Sequence, residues 1–452
     1  VAGVSERGPQ AAVAINSMAA FASVLGQRLA TSVLYDAAET FFREGGARLV
    51  FSRVLGAAAA VATHNLLDGS AGIALTVNAN SKGAWGNNLK VAVVAGGAGG
   101  TYQIQIQYNN VLVEQSGDLL DTAAGVAWST GSQYVTVVQG VSILDPAVVA
   151  AAALSGGSDD SGSVVDATWA TALAQFSKDL GPGMVSMAGR TTDTAHLDTL
   201  SHAAANNRVA VLDAPDTAVV ATLTSSATAA RAGGNGKYGA LFAPWAIVPG
   251  IAVGTTRTVP YSAVVAGIVS RNEGQFSPND PAAGEKGISR FAIGLSQADQ
   301  TDANRDLLNT AGVDMARILQ GSVKTYGWRS LADPAVEPQW LNFGNARLYT
   351  AIAADAQTVG DSFVFDQIDG QGLTISQYGG ELAAMLLTYY NEGALYGQTP
   401  DEAFSVDVGA QVNTDTTIAA GELHAVLAVR MSPMAEFVII EVVKVAITQE
   451  VV

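Results

Sequence analysis

The sequence predicts a multidomain protein of the α+β / α/β class. Three observations carry that reading. Helix-period and strand-period segments alternate from about residue 164 to 331, a turn-rich block of strands fills about 60–155, and the chain ends in two helices followed by two strands. A length of 452 residues suits roughly two to four domains and is enough to bury several cores.

Ser17 is a plausible N-cap for a short helix reaching Leu25. A second helix sets Leu34, Ala38, Phe41 and Phe42 on one face and stops at Gly45-Gly46, where glycine can close it in the left-handed conformation. "ARLVFSRVL" (47–55) alternates as a strand, completing a helix-to-strand unit of an α/β layer. Strands then follow in "GIALTVNA", "NLKVAVVA", "TYQIQIQYNNVLVEQ" and "QYVTVVQG", with "YNNV" (108–111) as a two-residue hairpin loop. "LSGGSDDSGS" (154–163) marks the exit from this β-rich insertion.

Beyond it, "DATWATALAQFS" and "TAHLDTLSHAAANN" predict helices, and "GMVSMAG", "RVAVLDAP" and "ALFAPWAIV" predict strands. Such βα succession implies a largely parallel sheet covered by helices. "DPAVEPQW" is an extended link. Two helices follow, over 341 to about 354 and 375 to about 390, then the strand "ELHAVLAVRM" and the ending "EFVIIEVVKVAITQEVV" (436–452). At about 3.3 Å per residue that ending would extend on the order of 55 Å, too long for one ordinary sheet. One of its faces carries Phe437, Ile439, Val443, Val445 and Ile447. An uncovered apolar edge of this kind is an aggregation template, so another molecule is expected to cover part of it.

Only 14% of residues are charged and 49% are hydrophobic, a balance that favours large permanent interfaces. The net charge of -17 and the lack of any basic run oppose binding to nucleic acid or anionic lipid. With no cysteine there is no disulfide framework, thiolate nucleophile or thiolate metal site, which suits a reducing cytosol. "LGAAAAVA" and "PAVVAAAAL" are far shorter than the ~18 residues of a membrane span, so the reading is a soluble protein. The chain starts at Val1 without a signal-peptide pattern, and some N-terminal sequence is expected to precede it.

No constellation points to chemistry. None of His64, His196, His202 and His424 opens an H-E-x-x-H motif, and "HLDTLSH", with Asp198 and His202 sharing a face, reads as a solvated helix face rather than a metal site. "GGAGG" (96–100) and "GGNGK" (233–237) lack the patterns of phosphate loops. There is no G-x-S-x-G elbow. Asp159 and Asp160 lie in a Gly/Ser linker too loose for acid-base work and read as solvated loop. Trp128, Trp169, Trp245, Trp328 and Trp340 are not interleaved with basic residues and read as core or interface anchors. The sequence therefore offers no catalytic residue, metal ligand or cofactor site.

The order of several motifs says more. "VAGVSERGP" (1–9) precedes "AAETFFREGGARLVFSRVLG" (37–56), "GAWGNNLKV" (83–91) and "LSGGSDDS" (154–161); then come "RVAVLDAP" (208–215), "APW" (243–245), "VPYSAVVAGIVSRNEGQFSPNDP" (259–281), "LLNTAGVDMARIL" (307–319), "YGWRSL" (326–331) and "AEFVIIEVVKVAI". Together they resemble, over nearly the whole chain, the tail sheath protein of contractile-tailed bacteriophages and related contractile injection systems. Tyr261 in place of a second proline, Phe276 in place of a tryptophan, and "YGWRSL" in place of "WGARTL" mark a divergent member.

The resemblance implies a tail sheath fold: an α/β middle domain in two parts (1–59 and 156–333), an inserted β-rich outer domain (60–155), and an inner α+β domain (334–452) that exchanges strands between subunits. Phe437 and Ile439 would end the chain's own sheet. Val443, Val445, Ile447 and Val451 would belong to a C-terminal strand donated to a neighbour, with an N-terminal arm preceding residue 1 completing the sheet. It implies no enzyme activity and no cofactor, but a helical homo-oligomer around an inner tail tube protein, with baseplate and tail terminator proteins as further partners and neither nucleic acid nor membrane bound directly. The virion tail, assembled in the bacterial host cytoplasm, would be its place. Contraction would release energy stored at assembly by repacking subunits. Tube-facing residues stay unassigned. Two other readings remain open: a secreted or carbohydrate-active α/β enzyme with Asp159, Asp160 and Asp213 as first candidates, and a static tube or capsid component, against which the α/β alternation speaks.

Overall fold

The computed structural model describes residues 1–436. It is a mixed α+β protein whose described chain divides into two compact units, Val1–Glu273 with Ala282–Phe343, and Gly274–Pro281 with the chain from Gly344 onward. Among the described residues no helix is long and apolar enough to cross a membrane.

In the first unit, Ser17 caps the helix Met18–Leu25 by accepting from the Ala20 N–H. The helix Leu34–Glu44 ends at Gly45, whose φ of 107° is the left-handed stop expected of glycine. The chain turns there into the strand Leu49–Arg53, which pairs in parallel with Ala2–Gly3 and antiparallel with Val13–Ile15. The larger sheet has the order Met184–Val185, Val209–Asp213, Gly239–Ala243, Val313–Leu319, Ser322–Thr325; its first three pairings are parallel and the last antiparallel. Alternation along its strands splits the core between two faces. Leu241 and Ala243 join a cluster with Leu200, Leu223 and Leu308. Phe242 faces the other way, its ring 6.4 Å from Tyr261 and 6.1 Å from Trp328.

"ALFAPWAIV" is two strands rather than one. Gly239–Ala243 stays in the large sheet, and Ala246–Pro249 pairs with Thr256–Val259 and Gly294–Leu295 in a separate one. The break falls at Pro244, which cannot donate to a ladder and follows a cis peptide bond.

Residues 62–154 enclose a core of their own, built from two antiparallel sheets. One consists of Thr63–Leu67, Ile73–Ala79 and Val135–Gln139; the other of Val149–Ala153, Leu89–Ala95, Tyr102–Tyr108 and Val111–Gln115. Leu75, Val77, Val91, Val93, Ile104 and Ile106 fill the space between them. Asn109 and Asn110 have φ of 51° and 67°, as a two-residue hairpin turn with both central residues left-handed requires.

In the second unit the helices Phe343–Ser362 and Leu373–Asn391 run antiparallel, with Phe363 5.1 Å from the Tyr378 ring at one end and the Tyr389 hydroxyl donating to Asp355 over 2.6 Å nearer the other. The first helix continues eight residues past its expected end at Ala354. Its last two turns are polar, so apolar spacing gave no signal there.

Candidate assembly site

The carboxylates considered for catalysis are structural. Asp213 ends its strand 1% exposed; Oδ1 accepts from the Ser262 N–H at 2.8 Å, and Oδ2 accepts from Ser262 Oγ at 2.7 Å and the Gly189 N–H at 3.0 Å. Burial pushes its pKa up to about 6. Ser262 and His196 beside it are equally sealed, at 2% and 1% exposure, so no substrate reaches this group.

Asp159 and Asp160 are not the solvated loop expected from their Gly/Ser setting. Arg53 projects from a buried strand and donates to Asp159 Oδ1 at 2.8 Å, while Oδ2 accepts from the Ala84 N–H at 3.0 Å. Asp160, at φ 49°, accepts from the Ala58 N–H and from Ser163 Oγ. Together they fasten the start and the exit of the β-rich stretch.

The histidine helix is likewise not a plain solvated face. His196 is buried, with Nε2 3.0 Å from the Asp213 carbonyl oxygen. His202 is half-buried beside Arg208, and burial followed by that charge pushes its pKa down to about 4. Among the described residues no group of three or more His, Asp or Glu is placed to hold a metal ion.

The second unit carries a different kind of site. Val426–Val429 pairs antiparallel with Phe404–Asp407. The ladder continues as Arg430 N–H donates to the Ala403 carbonyl and Tyr396 N–H to the Arg430 carbonyl. The other edge of Val426–Val429 has no ladder among the described residues. Alternation turns Phe404, Val406, Leu427 and Val429 toward Leu348, Ile352, Leu386 and Tyr389 of the helix pair, but these sheet residues are only half-buried. A two-stranded sheet is too narrow to cover two helices and is marginal on its own.

What remains open is an apolar groove of about 160 Å³ lined by Tyr349, Ile352, Ala353, Leu427, Val429 and Met431. The free strand edge and the groove suit one extended apolar segment: the edge supplies backbone donors and acceptors, the groove takes alternate side chains. Phe437, Ile439, Val443, Val445, Ile447 and Val451 lie outside the described residues. Nothing in the sequence marks the groove, because Tyr349, Ile352 and Ala353 read simply as an apolar helix face. The unit is also strongly acidic: residues 344–436 hold twelve Asp and Glu against Arg347 and Arg430, a balance of -10.

No family model matches the sequence, and neither does any curated protein. Solved structures do match. The chain is similar to the sheath tail protein of Listeria innocua, with a TM-score of 0.66 at 14% identity over 95% of this chain and 94% of that one. It is also similar to the sheath tail protein of Desulfitobacterium hafniense, with a TM-score of 0.62 at 15% identity over 90% and 88%. The chain has the fold of these sheath tail proteins.

Proposed function

We propose that this chain is a structural subunit of a contractile tail sheath, which polymerises helically around an inner tube and contracts to drive the tube through a cell envelope. The observation that carries this is the fold it shares with two sheath tail proteins over at least nine-tenths of its length. The order of sequence motifs points to the same class independently. A non-enzymatic role is supported by the carboxylates first considered for catalysis, which are sealed or serve as clamps.

The free edge of Val426–Val429 and the apolar groove support a strand-exchange linkage. In this reading Phe437 and Ile439 extend the subunit's own sheet, and Val443, Val445, Ile447 and Val451 go to a neighbour. Repeated without closure, such a contact builds a helical polymer. The β-rich residues 60–155 form the outer domain, the α/β parts 1–59 and 156–333 the middle, and residues 334–452 the tube-facing inner domain. Partners are further copies of the chain, the inner tube, and the baseplate and terminator proteins of a virion tail or related particle assembled in the host cytoplasm.

Electron microscopy of the full-length protein beside a variant truncated after Val442 tests this. Striated helical tubes that fragment on truncation support a sheath joined by a donated strand. Tubes that survive truncation overturn the linkage and leave the sheath. Discrete particles, in the presence and absence of the inner tube, overturn the sheath itself.

A further inference from the structure

The β-rich residues 62–154 have a core of their own and are attached to the rest of the first unit in two ways. One is covalent. The entering and leaving chains run side by side as a narrow ribbon, in which Ala60 and Ser158 exchange N–H to carbonyl bonds at 2.9 and 3.0 Å, and Thr63 and Ser155 at 2.8 and 3.0 Å. Arg53 clamps the base of this ribbon through Asp159. Two strands alone twist and bend readily, and Gly156 and Gly157 add no side chain to stiffen the leaving one. Such a link by itself would let the β-rich sandwich swing.

The other attachment is made by residues 5–9, which lie between the sandwich and the helix Met18–Leu25. Arg7 is 8% exposed. Its guanidinium sits 5.6, 5.8 and 4.8 Å from the ring centres of Trp85, Tyr108 and Tyr134, all three from the sandwich. On the helix side Nη2 donates to the carbonyls of Ala22 and Ser23 at 3.3 and 3.0 Å, near the helix end that favours a cation. Nε and Nη1 are buried and meet no acceptor atom, so the ring faces are what offsets their lost water. Glu6 makes the same bridge: the Tyr108 hydroxyl donates to Oε1 at 2.6 Å and the Gln27 N–H to Oε2 at 2.7 Å. Gly26 leaves the space for it, since a Cβ there would lie 2.2 Å from Oε2.

A charged plug differs from an apolar one. Met or Leu in a three-ring cage would be exposed at a cost on leaving it, whereas a guanidinium regains water when it withdraws. The contact can therefore open as well as close. We propose that the joint is a hinge with a lock: the ribbon is the hinge, and Arg7 seated between the three rings and the helix end holds the sandwich in one orientation, from which it swings when the guanidinium withdraws. This device does not depend on the sheath reading.

The full-length chain has no cysteine, so Ala19→Cys and Ala127→Cys, exposed alanines on helices on either side of the joint, can carry spin labels whose separation is read by pulsed dipolar spectroscopy. With Arg7 in place one narrow distance distribution is expected. Arg7→Met fills the cage without a cation and is expected to raise a second, swung population from undetected to about one-tenth of the molecules or more. Arg7→Lys keeps the charge but not the planar fork and is expected to fall between the two. Tyr134→Leu removes the nearest ring from the opposite side and is expected to act as Arg7→Met does. A single narrow distribution in both Arg7→Met and Tyr134→Leu overturns the lock. Arg7→Lys behaving no better than Arg7→Met overturns the charge as what holds it. Loss of fold in both Arg7→Met and Tyr134→Leu, read by circular dichroism, overturns the device and makes residues 5–9 part of the sandwich core.

Discussion

Arg53 Nη2 donates to Asp159 Oδ1 over 2.8 Å from a side chain that is wholly buried, joining the end of the strand Leu49–Arg53 to the exit of the β-rich stretch 106 residues later. The same guanidinium donates to the carbonyls of Ser5, Glu6 and Lys82 at 3.2, 2.8 and 2.5 Å. One cation therefore holds the N-terminal segment, the turn before residue 83 and the exit segment together. Burial lowers its pKa to about 10, so it remains charged at neutral pH.

Removing Arg53 is expected to cost far more than removing its partner. Arg53→Met leaves a carboxylate and four carbonyls, that of Gly8 included, without their donor, a loss on the order of 3–5 kcal/mol. Asp159 is about one-third exposed and is compensated by water, so Asp159→Asn costs about 1 kcal/mol or less. Denaturant unfolding of both variants checks the order. Equal losses would show the arginine's backbone contacts to be unimportant.

Glu44 makes a second clamp. It is fully buried at the end of its helix and accepts from Ser289 Oγ and from the N–H groups of Arg290 and Phe291 at 2.9 and 3.0 Å, with Arg271 Nη1 at 3.3 Å. Glu44→Ala strands these donors beside a cation and is expected to destabilise by about 3–5 kcal/mol. Hydrogen exchange gives a local readout: the Arg290 and Phe291 amides lose protection before the rest of the unit. Retained protection at both would mean that the loop does not depend on Glu44.

Such clamps account for what was and was not legible in the sequence. The Ser17 cap, the Gly45 stop, the Asn109-Asn110 turn and the parallel strands of the large sheet depend on local pattern, and each was read from a few adjacent residues. The roles of Asp159 and Asp160 depend on Arg53 and Ala58, 106 and 102 residues away, and a Gly/Ser neighbourhood hides that. The place of His196 is hidden for the same reason, since its ring meets a carbonyl at the end of another strand. The two short strands Val13–Ile15 and Thr63–Leu67 escaped notice because three to five residues carry too little alternation. The apolar groove of the second unit has no contiguous signature either, being assembled from two elements some 75 residues apart.

Asp213 makes stability depend on acid pH. Its folded pKa of about 6 lies above the ~3.9 of an unfolded aspartate, so the folded state holds the proton more tightly. The stability this group contributes is fully present below about pH 4 and is lost as pH rises through 6, a fall of about 3 kcal/mol. Asp213→Asn cannot ionise. The difference between the stability-versus-pH curves of wild type and variant should slope between pH 4 and 6 and be flat above; a flat difference throughout would mean that Asp213 titrates normally.

The hairpin at Asn109-Asn110 offers a test in the stabilising direction. Asn110 already sits at φ 67°, so Asn110→Gly removes residual strain and is expected to add a few tenths to 1 kcal/mol, whereas Asn110→Val places a β-branched residue there and costs 1 kcal/mol or more. Thermal melts of the two variants should move to opposite sides of the wild type. Movement in the same direction would contradict the turn geometry.

The groove in the second unit can be closed from within. Ala353 lies on the helix Phe343–Ser362, half-buried in the groove wall, and faces Leu427, Val429 and Met431 across about 160 Å³. Ala353→Trp puts an aromatic side chain into that space. In the isolated subunit this adds apolar contact where there was none, so the melting temperature is expected to hold or rise. Under the proposed strand-exchange linkage it would occupy the volume that alternate side chains of a donated strand need, and polymerisation is expected to be abolished at subunit concentrations that suffice for the wild type. Sedimentation of assembled material beside circular dichroism of the subunit separates the two effects. A folded variant that still polymerises would show that the incoming strand docks elsewhere; a variant that loses its fold would show that the groove belongs to the core.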